Sequence, residues 1–302
     1  MLLEAQWIKT VAQTAGCDAA GIAAAAPIPP DGWHLREWLS HNCHAGMRYM
    51  EEHVEMRYDP TLLLPGAKTV ISILVGHKPS SQIHGEKRIA QYAYGEDYHQ
   101  RLKRILYVLL SHLKERYPEL EARPFVDTAP ISDKYWAVQA GLGWWGKNTL
   151  LINPTFGSYC HIGELVTTAA ADKYDKPVPN GCGSCGRCIH ACPNQAICSA
   201  ASHTWVDARQ CASFHTIENR SETLPPHIRL SGYAFGCDCC QLVCPFNQQS
   251  PVRYELPDAR RQELEALPHA DEKTFKKATR HSAINRIRYT QWIRNLQHGD
   301  ND

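Results

Sequence analysis

Four cysteines, Cys182, Cys185, Cys188 and Cys192, stand in a C-x-x-C-x-x-C-x-x-x-C-P run closed by Pro193. That spacing of thiolates is the one with which small bacterial electron carriers hold a [4Fe–4S] cluster, and there the fourth cysteine ligates a second cluster. The run therefore demands further thiolates elsewhere. Cys237, Cys240 and Cys244, followed by Pro245, supply them downstream, with Cys211 in between. By reciprocity, cluster one takes Cys182, Cys185, Cys188 and Cys244, and cluster two takes Cys192, Cys211, Cys237 and Cys240. Only two cysteines lead the second run. Cys211 is the natural substitute for the missing third, and Cys239, beside Cys240, is its rival. Paired C-x-x-C motifs also serve zinc or disulfides, but neither needs two interlocked runs.

The remaining cysteines, Cys17, Cys43, Cys160, Cys198 and Cys239, are scattered without a disulfide pattern, which fits a reducing cytoplasm. A glutamate, Glu4, stands where an export signal wants basic residues, and no apolar segment approaches the roughly 20 residues of a membrane helix. The expectation is a cytoplasmic protein with no membrane contact. The 302 residues carry a net charge of +1, so bulk electrostatics name no partner. No coiled-coil heptads occur, and a monomer is expected.

The elements that must position the cysteines read as follows. Residues 1–16 form a first helix, Cys17 to Ala25 a strand, and Leu35 to Leu39 a short helix. The β-branched run Thr69 to Gly76 is the clearest strand. Residues 100–116 are the clearest helix, with Leu102, Ile105, Leu106, Leu109, Leu110 and Leu113 on one face. Val126 and Leu150 to Ile152 suggest further strands. This alternation predicts an α/β (α+β layered) domain over residues 1–171. Prolines and charges from Asp172 to Gly181 mark a linker. A ferredoxin-like two-cluster domain over residues 172–250 follows, then a basic helical tail over 251–302. The tail has a helix from Leu256 to Leu267, and its stretch Lys273 to Arg294 holds seven Lys or Arg and no acid. With Tyr289 and Trp292, that stretch is the candidate for phosphate contact.

A domain of roughly 170 residues ahead of the clusters is more than an electron carrier needs. It carries His53 through Pro60, Leu64-Pro65-Gly66-Ala67, Asp97-Tyr98-His99, Val126-Asp127-Thr128, Gly146-Lys147-Asn148, Gly157-Ser158-Tyr159 and Gly163-Glu164-Leu165, with Ser282-Ala283-Ile284-Asn285-Arg286 near the end. In this order, together with both cysteine runs, these segments resemble the epoxyqueuosine reductases over nearly the whole chain. The resemblance implies a cobalamin-dependent oxidoreductase that binds the corrinoid base-off between the first domain and the cluster module. Electrons from an unidentified low-potential donor would pass through two [4Fe–4S] clusters to cobalt. The substrate would be epoxyqueuosine at the wobble position of tRNAs for Tyr, His, Asn and Asp.

By the same resemblance Asp127 is the proton donor to the opened epoxide oxygen, with a pKa raised by burial near the corrin. Arg57, Asp127, Lys147, Asn148, Gly157 and Ser158 are expected around the corrinoid, and Tyr98 and His99 around the substrate. Asp133 is the nearby competitor for the acid role. Many members of the family continue into a helical-repeat domain that helps hold tRNA, and the short form here is expected to lack it. Two other readings share part of the pattern. One is a small-molecule corrinoid reductase like the reductive dehalogenases. The other is a plain ferredoxin-type carrier that binds no cobalamin.

Overall fold

In the computed structural model, which describes residues 1–83, 85–200 and 203–298, the first domain is built on a four-stranded sheet. Its strands are β1 (Ala19–Ala24), β2 (Thr69–Gly76), β3 (Ala122–Phe125) and β4 (Cys160–Thr167), in the order β1-β2-β4-β3. Every pairing is antiparallel, so the layered domain takes the α+β form. β2 lies in the middle, and all eight of its residues are buried, as its unbroken apolar run requires.

Helices cover both faces. Helix α1 (Ala5–Thr14), helix α2 (Leu35–Ser40), helix α3 (Tyr98–Arg116) and helix α4 (Asp133–Gln139) are the relevant ones. On one face Ile8 of α1 and Leu102, Leu106, Leu109 and Leu113 of α3 pack on Ile71 and Ile73. On the other, Trp136 and Ala137 of α4 meet Val70, Leu74 and Val166. The Asp97 side chain caps α3 by accepting from the His99 backbone N–H at 2.9 Å. This fixes where the first turn of α3 points its side chains.

The cysteine-rich segment has short helices and one hairpin, β5 (Ile197–Ser199) with β6 (Thr204–Val206). Its own apolar clusters are small: Ala212, Leu224, Ile228 and Leu230 make one. Polar contacts seat it on the first domain. Lys78 Nζ donates to the carbonyls of Asn247, Gln248 and Ser250 at 2.9, 3.3 and 2.7 Å. Trp38 Nε1 donates to the Val206 carbonyl at 2.6 Å.

The final stretch folds inward. Helices α5 (Asp258–Ala266), α6 (Glu272–Thr279) and α7 (Tyr289–Gln297) share one core with Ile83, Ile89, Ala234 and Phe235. Trp292, expected to be available to phosphate, is fully buried against Phe275. Arg294 is buried as well and donates to the carbonyls of His215, Asn219 and Ser221. The physical reason is the apolar spacing Phe275, Ala278, Ile284, Ile287 and Trp292, which outweighs the count of positive charges. No described helix is long and apolar enough to cross a membrane.

Candidate active site

Asp127 lies two residues past the end of β3, with a backbone φ of +36°. Side chains rarely adopt that conformation, although aspartate tolerates it better than most, and such residues cluster at functional sites. Its Oδ2 accepts from the Tyr98 hydroxyl at 2.6 Å and lies 3.0 Å from His99 Nε2. His99 Nδ1 is 2.8 Å from Asp97 Oδ1. One imidazole thus bridges two carboxylates, while the stacked rings of Tyr98 and His99, 4.1 Å apart, wall the site.

The charges follow from these contacts. Burial pushes the Asp127 carboxyl up, but hydrogen bonds from His99 and Tyr98 outweigh it, and the net shift is downward. Burial pulls His99 down, but its bonds to Asp127 and Asp97 outweigh that, and its net shift is upward. The expectation of a raised Asp127 pKa is therefore overturned. Its side chain is half exposed and sits against two donors, which is why its shift runs opposite to the expected one. Of the two aspartates considered for the acid role, Asp133 is the raised one, pushed up by burial.

Two further groups were not singled out from the sequence. Glu164 on β4 is fully buried, neither carboxyl oxygen has a hydrogen-bond partner among the described residues, and burial pushes its pKa well up. His161, on the same strand, is pushed well down by burial and stacks on Tyr98 at 4.4 Å and on His77 at 4.4 Å. The available signal was an acid inside an otherwise apolar strand sequence, Gly163-Glu164-Leu165.

The residues expected around the corrinoid divide into two groups. Arg57 Nε and Asn148 Nδ2 are buried donors without a partner among the described residues. Arg57 is also close enough to Asp133, Tyr49 and Asp127 to feel their charges. Lys147, Gly157 and Ser158 instead face the cluster module. Lys147 Nζ donates to the carbonyls of Gly183 and Cys185 at 2.7 and 2.8 Å. Ser158 N–H donates to Asn247 Oδ1 at 2.6 Å, and Asn247 Nδ2 donates to Ser158 Oγ at 2.9 Å. At Gly157, φ is +60°, and a Cβ would lie 2.0 Å from Asn247 Oδ1, so only glycine allows this approach.

The cysteine thiols of the module lie close enough to feel one another's charge, across the two expected ligand sets as well as within them. Burial raises Cys188, and Cys182, Cys244 and Cys185 raise it further. Burial likewise raises Cys240, with Cys211 and Cys192 among its charged neighbours. Cys237 is raised by its hydrogen bond to Cys239 and by burial, with Cys240 also near. A single zinc with tetrahedral thiolates at 2.3 Å puts sulfurs about 3.8 Å apart. Among the described residues no three cysteine thiols lie within 4.8 Å of one another.

An α+β domain with an acid–imidazole–phenol site, joined to a two-set cysteine module, defines an iron–sulfur oxidoreductase. Two family models match: "Epoxyqueuosine reductase QueG, DUF1730" over residues 57–128 and "4Fe-4S double cluster binding domain" over 181–247. An epoxyqueuosine reductase of Cyclobacterium marinum is 37% identical, over 98% of this chain and 97% of its own. The structure of epoxyqueuosine reductase from Streptococcus thermophilus superposes with a TM-score of 0.86 at 28% identity, covering 96% of this chain and 79% of that one. An epoxyqueuosine reductase with an epoxyqueuosine-modified tRNA-Tyr stem loop gives 0.83 at 27%, with the same coverage. The chain belongs to the epoxyqueuosine reductase family, and its cofactors are two [4Fe–4S] clusters and cobalamin. A catabolic reductive dehalogenase at 18% identity and a TM-score of 0.51 shares the fold alone. The unpartnered donors of Arg57 and Asn148 fit a cofactor as rich in amide side arms as a corrinoid.

Proposed function

We propose that this chain converts epoxyqueuosine to queuosine at the wobble position of tRNAs for Tyr, His, Asn and Asp, with Asp127 as the proton donor. Loss of the epoxide oxygen as water takes two electrons and two protons. The clusters supply electrons singly, and cobalamin supplies the centre at which they act on the substrate. A low-potential donor feeds the clusters, and the chain works as a cytoplasmic monomer.

The observation that carries the reading is the contact of Asp127 with Tyr98 and His99. In the resting site His99 holds the proton and Asp127 is a carboxylate. A substrate that covers Asp127 removes water from it and raises its affinity for a proton. The proton then moves from His99 Nε2 to Asp127 Oδ2 across 3.0 Å, Asp127 delivers it to the opened oxygen, and a second proton from solvent, relayed by the same pair, completes the water that leaves. The Tyr98 hydroxyl keeps the carboxylate aimed. Arg57 and Asn148 orient the corrinoid, while Lys147, Gly157 and Ser158 hold the cluster module in place beside it.

The experiment is the loss of one oxygen mass from epoxyqueuosine-containing tRNA, followed by mass spectrometry. Asp127→Asn is expected to lower turnover by about 10²–10⁴-fold, with the visible spectra of the clusters and of bound cobalamin unchanged. Near-normal turnover overturns the role of Asp127. The ligand sets proposed are Cys182, Cys185, Cys188 and Cys244 for one cluster, and Cys192, Cys211, Cys237 and Cys240 for the other. Cys211→Ala is expected to lose roughly half the iron, whereas Cys239→Ala keeps it.

A further inference from the structure

A second group of ligand-bearing side chains lies away from Asp127, where the first domain meets the cluster module. His34 stands immediately before α2, Glu37 lies in its first turn, and His203 sits in the turn of the β5–β6 hairpin. Their ligand atoms all lie within 4.8 Å of one another, the only such set of three or more His, Cys, Asp or Glu groups among the described residues. All three line a cavity of about 770 Å³.

The spacing is within reach of a shared metal ion. His34 Nδ1 is 3.3 Å from Glu37 Oε2, and His203 Nε2 is 3.5 Å from the same oxygen. Two ligands of a tetrahedral zinc, each at about 2.0–2.1 Å, are about 3.3–3.4 Å apart. The two imidazoles stack face to face, with centroids 3.7 Å apart and planes 7° apart. Parallel rings direct their in-plane lone pairs into separate planes, so ligation of one ion requires the partly exposed His34 ring to turn. Glu37 is exposed and His34 partly so, which leaves room for water to complete the coordination.

We propose that His34, Glu37 and His203 bind a divalent transition ion of the zinc class. Two imidazoles and one carboxylate form a donor set suited to such ions, and three protein ligands plus water are a common zinc arrangement. The ion clips the first domain to the cluster module at the cavity rim. The two sides are already held in register: Trp38 Nε1 reaches the Val206 carbonyl at 2.6 Å, and Ala208 N–H donates to the Cys43 carbonyl at 2.8 Å. The ion therefore meets a site assembled by other contacts.

The test uses holoprotein with both clusters loaded, dialysed free of loose metal and titrated with Zn²⁺ by calorimetry, with Tm followed in parallel. One equivalent binds and raises Tm in the wild type, because an ion that binds only the folded form stabilises it. Glu37→Gln and His203→Ala each weaken binding by about tenfold or more and abolish the Tm rise, with the cluster absorbance unchanged. Cys43→Ser and Cys198→Ser, which remove thiols of the same seam, keep the site. The proposal is overturned if no equivalent binds, if Glu37→Gln binds zinc like the wild type, or if a cysteine variant loses it. Glu37 is exposed, so its variant folds even where His203→Ala does not. None of these readouts depends on turnover or on the role of Asp127.

Discussion

The cluster module and the Asp127 site position their side chains by opposite means. In the module the ligands lie close in sequence, apart from the crossing residues Cys192, Cys211 and Cys244, and little apolar core surrounds them. At the Asp127 site the partners come from distant segments: Tyr98 and His99 open α3, Asp127 follows β3, and His161 and Glu164 lie on β4. There a large core holds the geometry. The module should therefore fail through its ligands, and the Asp127 site should change its chemistry while the fold survives.

The largest effect is expected where the two regions share a residue. Cys244, proposed as a ligand of the first cluster, is also buried against Trp144 and Ile152 of the first domain. Cys244→Ala should lose roughly half the iron, abolish turnover and loosen the docking. Iron analysis with the mass assay checks this, and full iron content in the variant breaks the comparison. Gly157→Ala tests the docking without touching a ligand. The left-handed φ and the 2.0 Å approach to Asn247 Oδ1 put its cost at roughly 3 kcal/mol or more, measured by denaturant unfolding. The thiol ligands remain, so this variant separates loss of seating from loss of clusters.

A smaller, pH-dependent effect distinguishes the Asp127 site. The raised pKa of His99 gives stability that is complete below its ordinary pKa and is lost as pH rises through the raised value. The lowered pKa of Asp127 gives stability present above the ordinary carboxylate range and lost as pH falls through the lowered value. The pair therefore stabilises most between the two. His99→Gln should cost about 1 kcal/mol near pH 6, discounted for the half-exposed partner, and little near pH 9. A uniform loss across that range would show that His99 acts by packing alone.

These differences also set what was legible in the sequence. The double-cluster module was readable because cluster ligation fixes cysteine spacing directly. β2 and α3 were readable because their apolar periods are long and unbroken. The direction of the Asp127 shift was not, because it depends on Tyr98 and His99, which the chain brings there from 29 and 28 residues away. The final helices misled for a similar reason. Arg286 is paired with Glu218 at 2.9 Å and Arg294 is buried on backbone carbonyls, so a count of positive charges overstated what faces solvent.

The smallest effect concerns the surface those helices leave. Lys276 and Lys277 lie on the exposed face of α6, and Lys276 pairs with Glu272 at 2.6 Å in an i,i+4 arrangement. Such a pair contributes only about 0.3–0.5 kcal/mol, so Lys276→Gln with Lys277→Gln should leave the unfolding free energy nearly unchanged. If this face meets tRNA phosphates, the same double variant should raise KM for tRNA and reduce the slope of log affinity against log salt by about two. The cluster spectra and kcat should hold, since neither lysine approaches the cysteines or Asp127. An unchanged salt slope would move the tRNA-binding surface off α6 and make Arg286, a basic residue of the final stretch whose field reaches Asp127, the next positive charge to test.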